Sequence, residues 1–319
     1  MLSFILLTLA LITLTASAED CPRGALDKQF CDRDGDMLAD APTDPSKYIN
    51  PYTLVFGTNP IHSFIFYEEA QNSFIKHMEK VTGKHVVFFP YQTNAAQLEA
   101  MDAGMLHIAG LNTGSVPTAI NCSGFHLSVM RAKANGEYGY QMKIITYPDS
   151  KIKKVSDLKN ETILFVSPSS NSGYKAPIAL LKQRFNLKKD IDYQIRFSGK
   201  HSNSIAKIAN KEFTVAAVAN GIAESMVTKK KIPKDSIVSI YRSESFPTTG
   251  YGYAHNLDPK LAKKIDIAFK TFKWQDTANG PLKALNKYND VKFIDADYKN
   301  KWEIIRTIDK ATNVSYNCK

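Results

Sequence analysis

The chain has 319 residues, of which 44% are hydrophobic and 23% are charged, and it carries a formal net charge of +10. This length can bury a substantial core in one large domain or in two of ordinary size. Its Lys and Arg residues are scattered, apart from the run TKKKIPKD at 228–235, which has no interleaved aromatic residues. We interpret that run as a solvated helix end, so a nucleic-acid-binding surface is not expected, whereas a small anionic ligand remains compatible with the charge.

The first predicted element is a secretory signal peptide. Residues 1–18 form an apolar run that ends in Ala16, Ser17 and Ala18, a small-residue pattern typical of signal-peptidase cleavage. This run is too short for a comfortable membrane span, and no later stretch approaches about 20 uninterrupted apolar residues. We therefore predict cleavage after Ala18 and a secreted mature chain without a membrane span.

Four cysteines indicate disulfide bonds, because an even number of cysteines in an exported chain is typical of paired thiols. Cys21 and Cys31 are close enough in sequence to close a short N-terminal loop. Cys122 and Cys318 would then pair and tie the C-terminus to the body of the protein. The sequence alone leaves all three connectivities open.

An acidic, proline-containing extension occupies residues 19–52. It contains four aspartates spaced as D-x-D-x-D-x-x-x-D, namely Asp32, Asp34, Asp36 and Asp40. Carboxylate oxygens at alternate positions suit a hard cation such as Ca²⁺, but the glutamate that an EF-hand loop has at its twelfth position is missing. The extension is therefore either a structural calcium loop or a solvated acidic tether, and the sequence indicates no other cofactor.

From residue 53 the chain alternates between predicted strands and helices. The first unit has strands in TLVFGTNP, HVVFFPY and LHIAGL, separated by helices in FYEEAQNSFIKHMEKVTG and TNAAQLEAMDAG, and this order predicts parallel strands with right-handed crossovers. A second unit follows the same alternation, and the tail after residue 258 is mainly helical. We predict an α/β protein with two lobes around a cleft: residues 53–140 and 246–319 form lobe 1, and residues 141–245 form lobe 2.

A serine-rich turn, FVSPSSNSGYKAP at 165–177, separates a predicted strand from a predicted helix. Ser170, Asn171 and Ser172 stand at the expected Ncap, N1 and N2 positions of that helix. The first N–H groups of a helix have no intrahelical partner and lie at the positive end of the helix dipole, so donors here can converge on an oxyanion. Ordinary capping needs only one such side chain. The turn is therefore either a helix cap or an anion site.

This turn, together with the later segment SGKHSNSIAKIANKEFTVAAVA, resembles the periplasmic phosphonate- and phosphite-binding proteins of ABC importers. The resemblance extends from about Leu54 to the last helix. It implies a type 2 periplasmic-binding fold, with mixed, mainly parallel sheets and a hinge of two crossing strands. It also implies a monomeric periplasmic protein that binds a small anion and delivers it to an ABC-transporter permease.

The resemblance further implies the ligand contacts. Ser170, Asn171 and Ser172 match the family's phosphonate-oxygen donors, and His201 matches its histidine at the cleft. Loops that follow the strands of lobe 1 would form the opposite wall, since ligands of α/β sheets bind at the carboxyl ends of strands. The expected contacts on that wall are Thr58, Asn94, Asn112, Thr113 and, from a later strand, Tyr251.

Three acidic positions of the family are replaced in this chain, by His107, Ser202 and Thr214. A cleft without those carboxylates should have little preference for a ligand that carries an amino group. We therefore expect a simpler oxyanion: phosphite, a short alkylphosphonate or phosphate. His107 is expected to be a structural replacement.

Two other functional classes compete with this interpretation. No G-x-S-x-G, H-E-x-x-H or C-x-x-C motif is present, so we expect no enzyme and no catalytic residues. A ferric-iron-binding protein is the main alternative, because FPTTGYGYAHN offers Tyr251, Tyr253 and His255, and hard phenolate ligands suit Fe³⁺. The two tyrosines also fit a strand with one aromatic face, since positions two apart point the same way.

Overall fold

The computed structural model describes residues 21–58, 64–272, 292–316 and 318, with the backbone alone for 64–71. The predicted signal peptide, including the cleavage position after Ala18, lies outside these residues. Among the helices that are described, none combines the length and the apolar character that crossing a membrane requires.

The described strands are β1 (Thr53–Thr58), β2 (His85–Pro90), β3 (Ile108–Leu111), β4 (Phe125–Ala132), β5 (Tyr140–Thr146), β6 (Thr162–Phe165), β7 (Gln194–Phe197), β8 (Val215–Ala219), β9 (Val238–Phe246), β10 (Gly250–Ala254) and β11 (Lys292–Asp295). The described α-helices are α1 (Phe64–Thr82), α2 (Asn94–Asp102), α3 (Val116–Ser123), α4 (Ala176–Phe185), α5 (His201–Ala209), α6 (Asn220–Thr228), α7 (Pro259–Thr271), α8 (Tyr298–Lys301) and α9 (Glu303–Ala311). Short 3₁₀ segments span Pro45–Lys47 and Val155–Leu158, and a single π-helical turn spans Asn171–Lys175.

The strands form two sheets. The first has six strands in the order β11-β4-β10-β3-β1-β2, and the second has five in the order β7-β6-β8-β5-β9. Parallel pairs join β1 to β2 and β3, and β6 to β7 and β8. The other pairings, β10 with β3 and β4, β11 with β4, and β5 with β8 and β9, are antiparallel. The described sheets are therefore mixed rather than mainly parallel. Strands β4, β5, β9 and β10, which flank the two crossings between the sheets, pair with their neighbours in antiparallel fashion.

The chain passes between the sheets twice, once between β4 and β5 and once between β9 and β10. This is the predicted two-lobe α/β architecture with a double crossing. Strand β5 begins at Tyr140 and strand β9 ends at Phe246, each one residue outside the range predicted for lobe 2. Helix α9, whose residues were assigned to lobe 1, packs against α4 and the π-helical turn, which belong to the second sheet's unit. The lobe boundaries themselves stay a prediction.

Local sequence explains the elements that flank the cleft. Strands β3 and β8 are buried along their whole length, as expected for apolar strands covered on both faces. Helix α2 begins after Thr93, whose Oγ1 accepts a hydrogen bond from the Ala96 N–H at 3.1 Å and so caps the helix.

Both disulfides join the cysteines that the sequence suggested. Cys21 and Cys31 close the N-terminal loop, with their Cα atoms 5.1 Å apart. Cys122, in α3, pairs with Cys318, with a Cα–Cα distance of 5.0 Å. The C-terminal tail is therefore covalently attached to a helix of the first sheet's unit.

Candidate functional site

The serine turn follows β6 and leads directly into α4. Ser170 has an extended backbone (φ −73°, ψ 124°), and its Oγ accepts a hydrogen bond from the Gly173 N–H at 3.1 Å. A Cβ at Gly173 would come within 2.5 Å of Val166 Cγ2, so the close packing of the turn on the end of β6 requires glycine. Ser170 thus is the helix cap, while its hydroxyl hydrogen can still be donated. π-Helical turns are rare in proteins, and those that occur are often found at functional sites.

Asn171 and Ser172 are buried, with exposed fractions of 2% and 1%, and they converge on the hydroxyl of Tyr140. Asn171 Nδ2 donates to Tyr140 Oη at 3.3 Å. Burial raises the pKa of Tyr140, while hydrogen bonding with Thr113, Asn171 and Ser172 acts in the opposite direction. These donors come from loops of both sheets, so the phenol marks a point where the two walls of the cleft meet.

Sequence reasoning missed Tyr140. It is the first residue of β5, immediately after the first crossing between the sheets. Its ring packs edge-on against Phe246, the last residue of β9, where the second crossing begins. The available signal was positional: an aromatic residue at a predicted crossing strand lies beside the cleft of a two-lobe protein.

Two of the contacts predicted for lobe 1 reach this region. Asn94, at the start of α2, donates from Nδ2 to Ser169 Oγ at 3.0 Å and so joins the first sheet's unit to the serine turn. Thr113, after β3, donates from Oγ1 to the Pro247 carbonyl at 2.8 Å, which ties this loop to the second crossing. Both residues link parts of the chain that belong to different sheets.

The loop at 112–115 touches the serine turn directly. A Cβ on Gly114 would lie 2.4 Å from the Ser169 carbonyl oxygen and 2.8 Å from the Asn171 nitrogen, so only glycine permits this approach. Asn112 serves the same loop, because its Oδ1 accepts from the Ser115 N–H at 3.1 Å. The structure therefore shows Asn112 as a loop-stabilising residue, with its amide oxygen engaged locally rather than at Tyr140.

Three predicted contacts carry buried polar atoms that lack a hydrogen-bond partner among the described residues: Thr58 Oγ1, Asn94 Oδ1 and Asn171 Oδ1. An unsatisfied buried polar group costs about 1–3 kcal/mol, and native proteins leave few of them. Each asparagine bonds a hydroxyl through its other amide atom, and a hydroxyl can donate or accept, so a rotated amide would present its NH₂ group instead. This unmet hydrogen-bonding capacity suits a polar ligand.

His201 begins α5 and lies at the carboxyl end of β8. Its Nδ1 accepts a hydrogen bond from the Ala219 N–H at 3.1 Å. In the neutral ring the proton is therefore on Nε2, the nitrogen that can donate to an oxyanion. Strand β8 runs parallel to its neighbour β6, and the serine turn follows β6, so both features lie at the same edge of the second sheet.

His107 is structural, as expected. Its ring Nδ1 accepts a hydrogen bond from the Val55 backbone N–H at 3.0 Å, and the His107 backbone N–H donates to the Val55 carbonyl at 3.1 Å. These two bonds join the start of β3 to β1. Burial lowers the pKa of its imidazole, which therefore stays neutral at pH 7.

The tyrosines of β10 do not form an iron site. Tyr251 packs in an aromatic cluster, with its ring centroid 5.1 Å from that of Phe293, so it belongs to the core rather than to the convergence at Tyr140. Tyr253 donates its hydroxyl to Asp266 Oδ2 at 3.1 Å, and burial raises the pKa of this phenol, which opposes formation of a phenolate. Burial lowers the pKa of His255 to about 4. The strand with one aromatic face is what the structure contains.

The acidic loop brings together three of its four predicted ligands. Carboxylate oxygens of Asp32, Asp34 and Asp36 lie within 4.8 Å of one another. Asp40 does not join them, because its Oδ2 accepts from the Arg33 N–H at 2.8 Å and pairs with the Arg33 guanidinium at 3.2 Å. Burial, followed by the neighbouring carboxylates, raises the pKa of Asp36. Calcium binding at this loop stays a prediction, with Asp32, Asp34 and Asp36 as the three carboxylate ligands.

Comparisons with known proteins agree with this architecture. Residues 56–301 match the family model for the periplasmic substrate-binding protein of phosphonate ABC transporters. The phosphate-import protein PhnD of Mycolicibacterium smegmatis is 23% identical over 230 residues, which cover 69% of this chain and 71% of that protein.

Two solved structures share the fold. The binding-protein component of an ABC phosphonate transporter from Pseudomonas aeruginosa superposes with a TM-score of 0.68 at 22% identity, covering 83% of this chain and 89% of that one. PhnD1 from Prochlorococcus marinus, in complex with methylphosphonate, superposes with a TM-score of 0.69 at 16% identity, covering 83% of this chain and 99% of that one. The match to the family model spans most of the chain, and the family consists of transport proteins, not of enzymes or iron carriers. This protein belongs to the periplasmic substrate-binding proteins of phosphonate ABC transporters.

Proposed function

We propose that this protein captures a small phosphorus oxyanion, namely phosphite, a short alkylphosphonate or phosphate, between its two sheets and delivers it to an ABC-transporter permease. The observation that carries the proposal is the convergence of Thr113, Asn171 and Ser172 on one buried point beside Tyr140. The amide oxygens of Asn94 and Asn171, which have no hydrogen-bond partner within the described ranges, border the same region.

Capture would involve hydrogen bonds only, with no bond made or broken in the ligand. Ser172 and Asn171 would donate to the anion's oxygens, Tyr140 would donate its protonated hydroxyl, and the Nε2 atom of His201 would complete the set. Thr113 would donate as well once its hydroxyl turns from the Pro247 carbonyl to the anion. Hydrogen bonds to a charged group contribute about 1.5–3 kcal/mol each. Closure of the two lobes would exclude water and strengthen these bonds.

The choice of ligand rests on chemistry at three positions. Where the resemblance places carboxylates, this chain has Ser202, His107 and Thr214, and the His107 ring is engaged with β1. No carboxylate at these positions would balance a ligand's ammonium group. The names of two relatives, a phosphate importer and a methylphosphonate complex, fall within the proposed class.

We further propose that the protein is exported to the periplasm, with cleavage after Ala18, and acts as a monomer. It would need no cofactor for ligand capture, while Asp32, Asp34 and Asp36 would bind a structural Ca²⁺. The division into lobes at residues 53–140 with 246–319, and 141–245, stays part of this proposal.

A thermal-shift panel on ligand-stripped protein tests the function. The panel contains phosphite, methylphosphonate, phosphate, 2-aminoethylphosphonate, sulfate and ferric citrate. A ligand at about 100 times its dissociation constant stabilises the native state by about 2.7 kcal/mol. We expect the largest shift from one of the first three compounds. A shift with ferric citrate alone, or with none of the six, would contradict the proposal.

A further inference from the structure

A buried ion pair lies directly beneath the serine turn. Lys175 ends the π-helical turn, and its Nζ is 2.8 Å from Oδ1 of Asp309 in α9; the two side chains are only 5% and 1% exposed. Removing two charges from water is costly, and replacing such a pair by apolar residues is often neutral for stability. Fold stability alone is thus a weak reason for this pair, which is not among the ligand contacts.

Lys175 joins the two walls of the cleft. Besides its contact with Asp309, its Nζ donates to the Gly114 carbonyl at 2.8 Å. Gly114 follows Thr113 and is the residue that makes the close approach to the turn. The Lys175 side chain therefore links the serine turn, to which the residue belongs, with the 112–115 loop and with α9.

Asp309 is in turn held by the C-terminal segment. Tyr316 donates its hydroxyl to Asp309 Oδ2 at 3.0 Å, two residues before Cys318, whose disulfide partner is Cys122 in α3. At the other end of α9, Trp302 Nε1 donates to the Thr113 carbonyl at 3.3 Å. Helix α9 is thus attached at both ends to the first sheet's unit while it packs against the turn and α4 of the second.

We propose that Lys175 and Asp309 are positioning residues for the oxyanion cleft: the pair holds the serine turn against the 112–115 loop so that Asn171, Ser172 and Thr113 face a common point. This inference rests on the proposed function, since it concerns the affinity of the same site. Neither residue needs to touch the ligand. The pair contributes to ligand affinity, and its replacement by apolar side chains leaves the fold stable.

The test is a double variant, Lys175→Met with Asp309→Leu, which removes both charges together and leaves no unpaired charge in the interior. We expect the free protein to fold, with a melting temperature lowered modestly because the Gly114 carbonyl and the Tyr316 hydroxyl lose their partners. The dissociation constant for the phosphorus oxyanion that binds the wild type most tightly should rise about tenfold, within the range typical of energetic coupling. The matched control is Lys211→Met with Asp149→Leu, which removes an exposed ion pair of 2.6 Å and should leave the dissociation constant unchanged.

Each outcome separates this inference from the proposed function. If the wild type binds an oxyanion and the double variant binds it equally well, the pair is only structural and the inference is overturned, while the function stands. If the wild type binds none of the three phosphorus oxyanions, both fail.

Should the double variant not fold, hydrogen exchange on the wild type decides the question. Because coupling between two sites is reciprocal, ligand at the turn must stabilise the docking of α9. We expect ligand-dependent protection of the amides of residues 303–311 along with those of the turn. Unchanged exchange in α9 would overturn the inference.

Discussion

The serine turn and the tyrosine strand β10 both offer oxygen atoms that could bind a ligand, yet the structure treats them differently. At the turn, Asn171 and Ser172 point toward one shared position, and the amide oxygen of Asn171 has no partner in the part of the chain that the structure describes. On β10, Tyr251 packs among aromatic rings, and the Tyr253 hydroxyl donates a hydrogen bond to Asp266. A binding site thus differs from a core that contains polar groups: in the site several donors converge and some polar atoms lack hydrogen bonds, whereas in the core the polar groups are hydrogen-bonded to their neighbours.

The largest effect is expected at the serine turn, where the two serines contribute differently to ligand affinity and to stability. Ser170→Ala combined with Ser172→Ala should weaken binding of the phosphorus oxyanion by about 3 kcal/mol, because charge-assisted hydrogen bonds are lost. Measured singly, Ser170→Ala should mainly lower the free energy of unfolding, by about 1 kcal/mol, since Ser170 is the helix cap. Titration calorimetry and denaturant unfolding check the two parts. Undiminished affinity in the double variant would remove the turn from the site.

On the tyrosine strand, acid should affect stability instead of binding. The folded pKa of His255 is lowered to about 4, below its value near 6.5 in an unfolded chain, so the unfolded state binds the proton more readily as the pH falls. Stability is therefore complete above pH 6.5 and declines through the window from 6.5 to 4, with a contribution on the order of 3 kcal/mol from this group. Denaturant unfolding of the wild type and of His255→Gln across that window measures it. A pH dependence that is identical in the variant would contradict the assignment.

Tyr140→Phe removes the hydroxyl at the convergence point and keeps the ring. We expect a loss of about 1.5 kcal/mol in ligand affinity, as for one hydrogen bond to a charged group. Tyr193→Phe is the matched control, because Tyr193 is also buried but its hydroxyl has no hydrogen-bond partner among the described residues. Equal affinities of the two variants would show that the phenol of Tyr140 does not contact the ligand.

The smallest effect is expected from Tyr253→Phe. It deletes the hydrogen bond to Asp266, which should cost about 1 kcal/mol of stability and leave oxyanion affinity unchanged. Ferric citrate should produce no visible tyrosinate absorption in the wild type or the variant. A coloured complex that Tyr253→Phe abolishes would restore the iron interpretation.

Local sequence patterns predicted most of the elements, because apolar periodicity and caps such as Thr93 act within a few residues. Strand direction was harder: the antiparallel placement of β4, β5, β9 and β10 depends on pairings between distant segments. Local chemistry offered the turn as either a helix cap or an anion site, because a strand-to-helix turn places its polar residues at a sheet edge. His201 was predicted only through the resemblance to the family.

Contacts that depend on tertiary geometry could not be predicted in this way. Tyr140 stands at a boundary between elements, and the Lys175–Asp309 pair joins distant segments without any local signal. Asn112 and Asp40 are polar residues in suitable places, yet a neighbouring N–H group in the same loop engages each of them. Residue type and position determine which hydrogen bonds a side chain can make, but the groups beside it in the folded protein determine which of them form.

The most direct test is a crystal structure of the protein with the oxyanion that gives the largest thermal shift. We expect the anion's oxygens within hydrogen-bonding distance of Asn171, Ser172 and Thr113, with Tyr140 and His201 completing the contacts. An anion bound elsewhere, with Asn171 still bonded to Tyr140 and Thr113 still bonded to Pro247, would contradict the proposed site.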